Sequence, residues 1–333
     1  MTTLLDVEIF AGASLAPLNA HTALVDEVRR GLLKTPRTLV PWMLYDAEGS
    51  RLFECITTLP EYYPTRTERD ILAKYAHAMV AATGFDRPFR LVELGAGTAT
   101  KTSIVLEAAA RLRSEVAYIP IDVSSDALEL ACESIGGLLP EVQLRPMVAN
   151  YVTDPPRLER FPGTTLAMYI GSSIGNFSPQ EARTILRNLR SELRPGDGLL
   201  LGTDLVKDEA TLVRAYDDKA GVTAAFNMNL LHRLNRELGA DFDTDCFCHR
   251  ARWNRLESRM EMHLESTCDQ EVCIEAADVR VRFSAGETIH TENSYKFTRR
   301  TLRALLEDAG FSLEQTWTDP REWYALTLAG IPD

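Results

Sequence analysis

Two glycines and a nearby carboxylate form a turn that suits a ligand. Gly95 and Gly97 lie in the stretch Glu93-Leu-Gly-Ala-Gly, directly after a short apolar run. Glycine lets the backbone turn sharply, and a ligand can approach the main chain because no Cβ is in the way. The helix-like segment that follows offers free N–H groups at its start. The stretch predicts a buried strand, a tight turn and a helix start around a nucleotide-like ligand, with the Glu93 carboxylate facing that ligand.

Lys101 and Asp122 narrow the choice of ligand. The dinucleotide fingerprint needs a third glycine where this chain has Thr100. Asp122 ends the next apolar run, roughly 25 residues after the turn, near the offset at which an acid binds ribose hydroxyls. Lys101 stands in the first helical turn, where a cation is unfavourable beside the helix dipole unless a ligand carboxylate neutralises it. S-adenosylmethionine is a nucleoside that carries a carboxylate and no pyrophosphate, so it is the predicted ligand. The alternative for Lys101 is a solvated side chain that binds no ligand.

Asn150 follows the third predicted strand of the chain. Ligands of parallel sheets bind at the carboxyl ends of the strands, so the Asn150 amide is expected to reach the amino group of adenine. The alternative is that this amide only satisfies backbone groups near the strand end.

The residues from 90 onward alternate between apolar runs and amphipathic segments. Such alternation predicts a doubly wound parallel sheet with helices on both faces. The predicted strands span 90–95, 116–123, 142–149, 164–171, 198–205, 312–318 and 323–328, and the predicted helices span 100–112, 124–137, 179–193 and 298–309.

Residues 206–297 interrupt this alternation with a different pattern. The segment 207–240 is predicted to be mostly helical, and 251–285 alternates in the manner of antiparallel strands. We expect this insertion to pack with the N-terminal residues as a mixed α+β domain. The predicted division is 65–205 plus 298–333 for the α/β domain and 1–64 plus 206–297 for the second domain.

Pro60 and Pro64 bracket the segment Glu61-Tyr-Tyr63. Proline favours extended backbone in the residue before it, so the segment is predicted to be an extended loop. A threonine of Thr65-Arg-Thr67 would then cap a helix over 68–83. Adjacent tyrosines in such a loop either line a pocket or pack the loop down.

The composition limits the classes of protein to be considered. The chain has 333 residues, a formal net charge of −12 and a pI of about 5.1. This acidity argues against nucleic acids and anionic membranes as partners. The sequence shows no long apolar span and no secretory N-terminus, so a cytoplasmic protein is expected. The six cysteines are interpreted as free thiols, and Cys246-Phe-Cys248-His249 lacks the paired spacing of structural zinc sites, so no metal is expected.

Almost the whole chain resembles the L-histidine Nα-methyltransferases of ergothioneine biosynthesis. The resemblance rests on an ordered set of blocks, each matching the family. The blocks are Leu59-Pro-Glu-Tyr-Tyr-Pro-Thr-Arg-Thr, Glu93-Leu-Gly-Ala-Gly-Thr-Ala-Thr-Lys-Thr, Gly171-Ser-Ser-Ile-Gly-Asn-Phe, Leu201-Gly-Thr-Asp-Leu-Val-Lys-Asp, Arg214-Ala-Tyr-Asp-Asp-Lys-Ala-Gly-Val-Thr-Ala-Ala-Phe-Asn and His290-Thr-Glu-Asn-Ser-Tyr-Lys-Phe. The resemblance implies a class I S-adenosylmethionine-dependent methyltransferase with a Rossmann-like sheet. Such an enzyme moves three methyl groups to the α-amine of histidine, giving hercynine and S-adenosylhomocysteine.

The family resemblance also implies which residues bind the cofactor and the substrate. Glu292 and Ser294 would recognise the imidazole, because a carboxylate accepts from its N–H and a hydroxyl donates to its other nitrogen. Tyr216 would bind the substrate carboxylate, and Met262 would pack on the ring. The predicted cofactor-binding residues are Gly95, Lys101, Asp122, Asn150 and Tyr151. The predicted substrate-binding residues are Tyr62, Asn176, Tyr216, Met262, Glu292, Asn293 and Ser294, of which Tyr62 and Asn176 are the predicted catalytic residues.

Two positions depart from the family pattern. The family usually has Asp where this chain has Asn150, so we expect altered affinity for the cofactor with binding retained. It commonly has Val or a similar apolar residue where this chain has Asn293, which is expected to affect substrate selectivity. Three alternatives stay open: a same-fold methyltransferase acting on another amino acid or an indole amine, an NAD-binding oxidoreductase, and a non-catalytic scaffold. A monomer is expected.

Overall fold

The computed structural model of the protein describes residues 10–11, 18–84, 88–152 and 156–332. The chain divides into two compact units. Unit 1 contains the strand Phe10–Ala11 together with the described parts of Arg66–Leu205 and Phe297–Asp333, and unit 2 contains the described parts of Leu15–Thr65 and Val206–Lys296. The segment Leu4-Leu-Asp-Val-Glu-Ile-Phe10 is predicted from its sequence to be a strand, and it lies almost wholly outside the described residues.

The regular elements follow in chain order. The strands are β1 (Phe10–Ala11), β2 (Arg37–Thr38), β3 (Phe89–Leu94), β4 (Val116–Asp122), β5 (Gln143–Leu144), β6 (Met147–Val148), β7 (Thr164–Tyr169), β8 (Gly198–Asp204), β9 (Phe247–Asn254), β10 (Arg259–Ser266), β11 (Gln270–Ile274), β12 (Val279–Phe283), β13 (Thr288–Tyr295), β14 (Ser312–Thr318) and β15 (Tyr324–Gly330). The helices are α1 (Leu18–Leu32), α2 (Ala47–Thr58), α3 (Tyr63–Ala82), α4 (Thr102–Leu112), α5 (Ser125–Leu138), α6 (Pro179–Glu192), α7 (Glu209–Tyr216), α8 (Val222–Leu238) and α9 (Arg299–Asp308).

Unit 1 is built on one sheet with the strand order β1-β6-β4-β3-β7-β8-β15-β14, and β5 pairs with β4. The strands from β6 to β8 run parallel, whereas β15 runs antiparallel to β8 and β14. Every residue of β3, β8 and β15 is buried, as expected for strands covered on both faces. The predicted doubly wound sheet is confirmed. β1 also belongs to this sheet, although the predicted division assigns residues 1–64 to the other domain.

The third predicted strand, over 142–149, is broken into two short strands. β5 and β6 both pair with β4, and Pro146 lies between them. Proline has no N–H to donate to a ladder, so the pairing stops there and resumes after it.

Unit 2 joins the inserted residues to the N-terminal segment. Its main sheet has the order β2-β13-β10-β9, and β11 pairs with β12 as a separate hairpin. Helix α8 packs on α2 and on strands β9 and β10, and β2 pairs with β13. The predicted helices within 207–240 and the predicted antiparallel strands within 251–285 are confirmed by α7 to α8 and by β9 to β12.

The loop predicted between Pro60 and Pro64 is shorter than expected. Helix α3 already begins at Tyr63, five residues before the predicted start at Glu68. Pro64 therefore lies in the first helical turn, where a missing N–H costs nothing because that group has no partner within the helix. Among the described helices, none is long and apolar enough to cross a membrane.

We expect Gly202→Ala to destabilise unit 1. A Cβ at Gly202, in β8, would contact the Glu68 carboxylate and lie 2.9 Å from the Tyr324 hydroxyl and 3.1 Å from Ile170 Cα. Overpacking of this kind costs about 1–3 kcal/mol. Gly137→Ala is the matched control, because a Cβ there meets nothing within 4 Å and α5 should gain roughly 0.5–1 kcal/mol. Chemical denaturation measures both, and equal effects of the two changes would contradict this packing.

Candidate active site

The glycine turn after β3 is open on the side of the strand ends. Gly95 and Gly97 have φ values of +68° and +50°, which favour glycine. The Gly95 N–H donates to the Ile121 carbonyl at 2.8 Å. A Cβ at Gly97 would meet nothing within 4 Å, whereas one at Gly95 would lie 3.0 Å from the Tyr151 hydroxyl. The turn thus leaves backbone accessible to a ligand next to Tyr151.

Asp122 ends β4 beside this turn. Its Oδ2 accepts from the Gly97 N–H at 3.2 Å, and its Oδ1 accepts from the Ser124 N–H at 3.0 Å. Ser124 in turn caps α5 by accepting from the Ala127 N–H at 3.2 Å. The carboxylate is therefore held by backbone donors at the carboxyl end of its strand, where ribose hydroxyls are bound in folds of this kind.

Asn150 and Tyr151 follow β6 at the same edge of the sheet. The Asn150 Oδ1 accepts from the Val152 N–H at 3.1 Å, which is the backbone bond considered as an alternative. An amide oxygen has two lone pairs, so this bond is compatible with a second donor such as an adenine amine. Tyr151 packs edge-on against Tyr169, with ring centroids 5.6 Å apart. Burial raises the pKa of Tyr151 to about 12, so its phenol is neutral.

Lys101 forms an ion pair with Glu68, which sequence reasoning missed. Glu68 is fully buried, and its carboxylate also accepts from the Tyr324 hydroxyl at 2.6 Å and from the Gly171 N–H at 2.9 Å. Lys101 is therefore not a solvated side chain. An ammonium has three donors, so the pair with Glu68 is compatible with a ligand carboxylate at the same group.

Glu93 does not face a ligand, so that prediction is wrong. Glu93 is 2% exposed, and its carboxyl group accepts from Thr102 Oγ1 at 2.8 Å and from the Tyr118 hydroxyl. Burial raises the pKa of Glu93 to about 7, against the effect of these two donors. The side chain instead joins β3 to β4 and to the start of α4, and so holds the glycine turn in place.

Asn176 lies in a short 3₁₀ helix, Ser173–Asn176, that follows β7. The preceding Ser172 is buried and its Oγ accepts from the Asp204 N–H at 2.9 Å. This bond fixes the start of the segment to β8. Because β6, β4, β3 and β7 are neighbouring parallel strands, Asn176 shares an edge of the sheet with Asn150, Asp122 and Gly95.

Unit 2 brings together most of the predicted substrate-binding residues. Met262 of β10 lies opposite Glu292 of β13, and Met260 lies opposite Ser294. Directly opposed residues of an antiparallel pair share a face, as do residues two apart on one strand. We call the side that carries these residues the Glu292 face. Burial raises the pKa of Glu292 to about 8, and Lys296 opposes this rise.

A hydrogen-bonded group of three side chains lies on the Glu292 face. The Tyr216 hydroxyl donates to Ser294 Oγ at 2.8 Å. Lys296 Nζ donates to Ser294 Oγ at 2.8 Å and to the Tyr216 hydroxyl at 2.7 Å. Sequence reasoning missed Lys296, although its spacing of two from Ser294 and four from Glu292 predicts the same face of a strand.

Tyr216 is also fixed through its backbone. His249 Nε2 donates to the Tyr216 carbonyl at 2.8 Å, and His249 Nδ1 accepts from Asn227 Nδ2 at 3.0 Å. Burial lowers the pKa of His249, so the ring is neutral and can hold both roles. Tyr62 packs edge-on against the Tyr216 ring, with centroids 6.1 Å apart, and against Phe53 at 6.3 Å.

Asn293 is not brought together with Glu292 and Ser294. It lies opposite Glu261, on the reverse face of the sheet, because side chains alternate along a strand. Its Oδ1 is buried and lacks a hydrogen-bond partner in the part of the chain that the structure describes. The expectation that Asn293 belongs to the substrate site is therefore not supported. Among those described residues, no group of three or more His, Cys, Asp or Glu side chains is arranged to hold a metal.

The strand order and the residues at the strand ends define a class I S-adenosylmethionine-dependent methyltransferase. The open glycine turn agrees with this class, because it lets a ligand approach the backbone. The family model described as histidine-specific, S-adenosylmethionine-dependent methyltransferase matches residues 24–330, and the chain belongs to this family.

Curated relatives agree with this family. The histidine N-alpha-methyltransferase of Mycolicibacterium smegmatis is 45% identical, over 95% of this chain and 97% of the relative. That of Mycobacterium tuberculosis is 44% identical, over 93% and 95%. The L-tryptophan methyltransferase of Psilocybe serbica is 29% identical, over 90% of both chains.

We expect Glu68→Gln to weaken cofactor binding. The amide removes the charge that pairs with Lys101 and turns a donor towards groups that already donate, so the affinity for S-adenosylhomocysteine should fall about tenfold. Calorimetric titration measures it. Glu48→Gln is the matched control, because its pair with Arg51 is exposed and should change nothing. Unchanged affinity in Glu68→Gln would show that Glu68 does not position Lys101.

We expect Glu292→Gln to stabilise the ligand-free protein increasingly as the pH rises. The native pKa of about 8 exceeds the ordinary value of 4.5, so the folded state keeps a proton that the unfolded state releases between these pH values. Wild-type stability then falls with rising pH, by on the order of 1 kcal/mol per pH unit, and the glutamine variant escapes this loss. Denaturant unfolding between pH 5 and 8 measures the difference. A difference that does not depend on pH would contradict the burial of this carboxyl.

Proposed function

We propose that the chain transfers methyl groups from S-adenosylmethionine to the α-amine of L-histidine, three times, giving hercynine for ergothioneine biosynthesis. The observation that carries the proposal is the pair of Glu292 and Ser294 on one buried face of unit 2. A neutral imidazole has one N–H donor and one nitrogen acceptor, and a carboxylate beside a hydroxyl matches both. The family and the relatives named as histidine N-alpha-methyltransferases support the same substrate.

In unit 1, the cofactor would be held at the carboxyl edge of the sheet. Asp122 would bind the ribose hydroxyls, and Gly95 would lie beneath the methionine part of the cofactor. Lys101 would neutralise the carboxylate of that methionine part. Asn150 and Tyr151 would surround the adenine. The bound cofactor supplies a methyl group already activated as a sulfonium, so the protein needs no covalent nucleophile.

The chain's own contribution to catalysis is alignment and control of the amine proton. Holding the amine nitrogen in line with the methyl group removes most of the entropic barrier. Tyr62 and Asn176 would orient the α-amine, and Tyr216 would bind the substrate carboxylate. The α-ammonium must lose a proton before each transfer, and a tyrosine oxygen or a water would accept it. Met262 would pack on the imidazole.

A methyltransferase for another amino acid is the second candidate. The relative named L-tryptophan methyltransferase favours it, since a chain 29% identical to this one is named for an amino acid with an indole side chain. Indole offers an N–H donor and no ring acceptor, so it would use Glu292 and leave the Ser294 hydroxyl without a partner. Membership of a family that depends on S-adenosylmethionine decides against the NAD-binding alternative. A cytoplasmic monomer that binds neither metal nor nucleic acid remains our expectation.

Mass spectrometry of L-histidine incubated with the enzyme and S-adenosylmethionine tests the reaction. We expect products that have gained one, two and three methyl groups, with all of them on the α-amine. L-tryptophan in a parallel reaction is the comparison. Product from tryptophan and none from histidine would support the second candidate instead, and a single methyl gain would refute trimethylation.

Glu292→Ala should raise the KM for histidine by roughly one to two orders of magnitude, because the imidazole N–H then lacks its acceptor. The kcat should change much less, since the ring is remote from the transferred methyl. Steady-state kinetics measure both constants. Glu257→Ala, at an exposed glutamate of the β9–β10 turn, is the control and should behave as wild type. An unchanged KM in Glu292→Ala would rule out this mode of ring recognition.

A further inference from the structure

Lys296 is buried in unit 2 against two hydroxyl groups. The residue is 3% exposed. The Nζ donates to Ser294 Oγ at 2.8 Å and to the Tyr216 hydroxyl at 2.7 Å, and it lies 4.7 Å from the centre of the Tyr216 ring. The position of the ammonium relative to both hydroxyls is therefore well defined.

These contacts decide which way the Ser294 hydroxyl can act. Ser294 Oγ accepts one hydrogen bond from Lys296 and a second from the Tyr216 hydroxyl, at 2.8 Å. A serine hydroxyl has two acceptor positions and one proton, and a lysine ammonium can only donate. In the ligand-free protein both acceptor positions are filled, so Ser294 can only donate to a further group. If Tyr216 turns its proton to a substrate carboxylate, Lys296 still donates to both oxygens and keeps the Ser294 proton directed away from its ammonium.

We propose that Lys296 is a positioning residue that makes Ser294 an obligatory hydrogen-bond donor, so that the site selects side chains whose ring carries an unprotonated nitrogen. The inference rests on the proposed function, because it concerns the same ring-recognition pair. It adds that the site rejects rings with only N–H donors, such as indole or imidazolium. An imidazolium would place a second N–H against the Ser294 hydroxyl and leave two buried donors opposed. An indole, whose one N–H would go to Glu292, would leave the Ser294 donor without an acceptor.

Lys296 also lowers the pKa of Glu292, against the larger effect of burial. A positive charge has this effect from any nearby position, so it does not depend on hydrogen bonds to Ser294. The two roles therefore respond differently to substitution. Lys296→Met removes both the charge and the donor, whereas Lys296→Gln removes the charge and keeps an N–H donor on a side chain that is one atom shorter.

Calorimetric titration of the full chain, saturated with S-adenosylhomocysteine, separates these roles. The ligands are L-histidine and β-(2-thienyl)-L-alanine, whose five-membered ring has no nitrogen. We expect Lys296→Met to lower the affinity for histidine about tenfold or more and to leave the affinity for thienylalanine unchanged. Lys296→Gln should keep most of the preference for histidine. With Ser294→Ala already present, Lys296→Met should cause no further loss, because the two residues act as one unit.

Equal losses for both ligands in Lys296→Met, or a further loss from Lys296→Met when Ser294→Ala is already present, would overturn the inference. Binding of S-adenosylhomocysteine and far-ultraviolet circular dichroism report whether each variant folds. If Lys296→Met does not fold, Ser294→Ala decides, since an unchanged preference for histidine over thienylalanine in that variant also overturns the inference. A wild-type protein without preference for histidine over thienylalanine would instead contradict the proposed function.

Discussion

The buried carboxyl group of Glu292 is the constraint on which the candidate substrate site of unit 2 depends. Removing a carboxylate from water is costly unless a cation and hydrogen-bond donors compensate it, and here burial raises its pKa to about 8. The nearby cation is Lys296, whose ammonium is fixed on Ser294 and Tyr216. A fold gains no stability from such an arrangement over an apolar one of the same shape. A ligand that presents an N–H to the Glu292 carboxylate and an acceptor nitrogen to Ser294 gives this arrangement a function.

Unit 1 contains buried carboxylates of a different kind. Glu93 accepts from Thr102 and Tyr118, and Glu68 accepts from Tyr324, Gly171 and Lys101. Their donors come from the protein itself, so they join helices and strands behind the glycine turn. These two glutamates hold the backbone and the lysine of the candidate cofactor site in position.

The sequence allowed the sheet of unit 1 to be predicted well, because its strands are continuous apolar runs separated by amphipathic helices. The prediction that cofactor-binding residues lie at the carboxyl ends of the strands followed from that predicted sheet. Side-chain partners were harder to predict: Glu93 faces inward, and Lys101 meets Glu68, which lies 33 residues earlier in the chain. Local patterns carry no information about such distant partners. For Asn293, the alternation of a strand already predicts the face opposite Glu292, whereas the family comparison grouped it with its neighbours.

Nitrogen-15 NMR of ring-labelled L-histidine, bound to the protein with S-adenosylhomocysteine, tests most directly whether Glu292 and Ser294 recognise a neutral imidazole. We expect two well-separated ring signals from a single neutral tautomer, with one nitrogen protonated against Glu292 and the other accepting from Ser294. Glu292→Gln and Ser294→Ala should each shift a different one of these signals. Two protonated ring nitrogens, or the averaged signals of free histidine in the bound state, would contradict it.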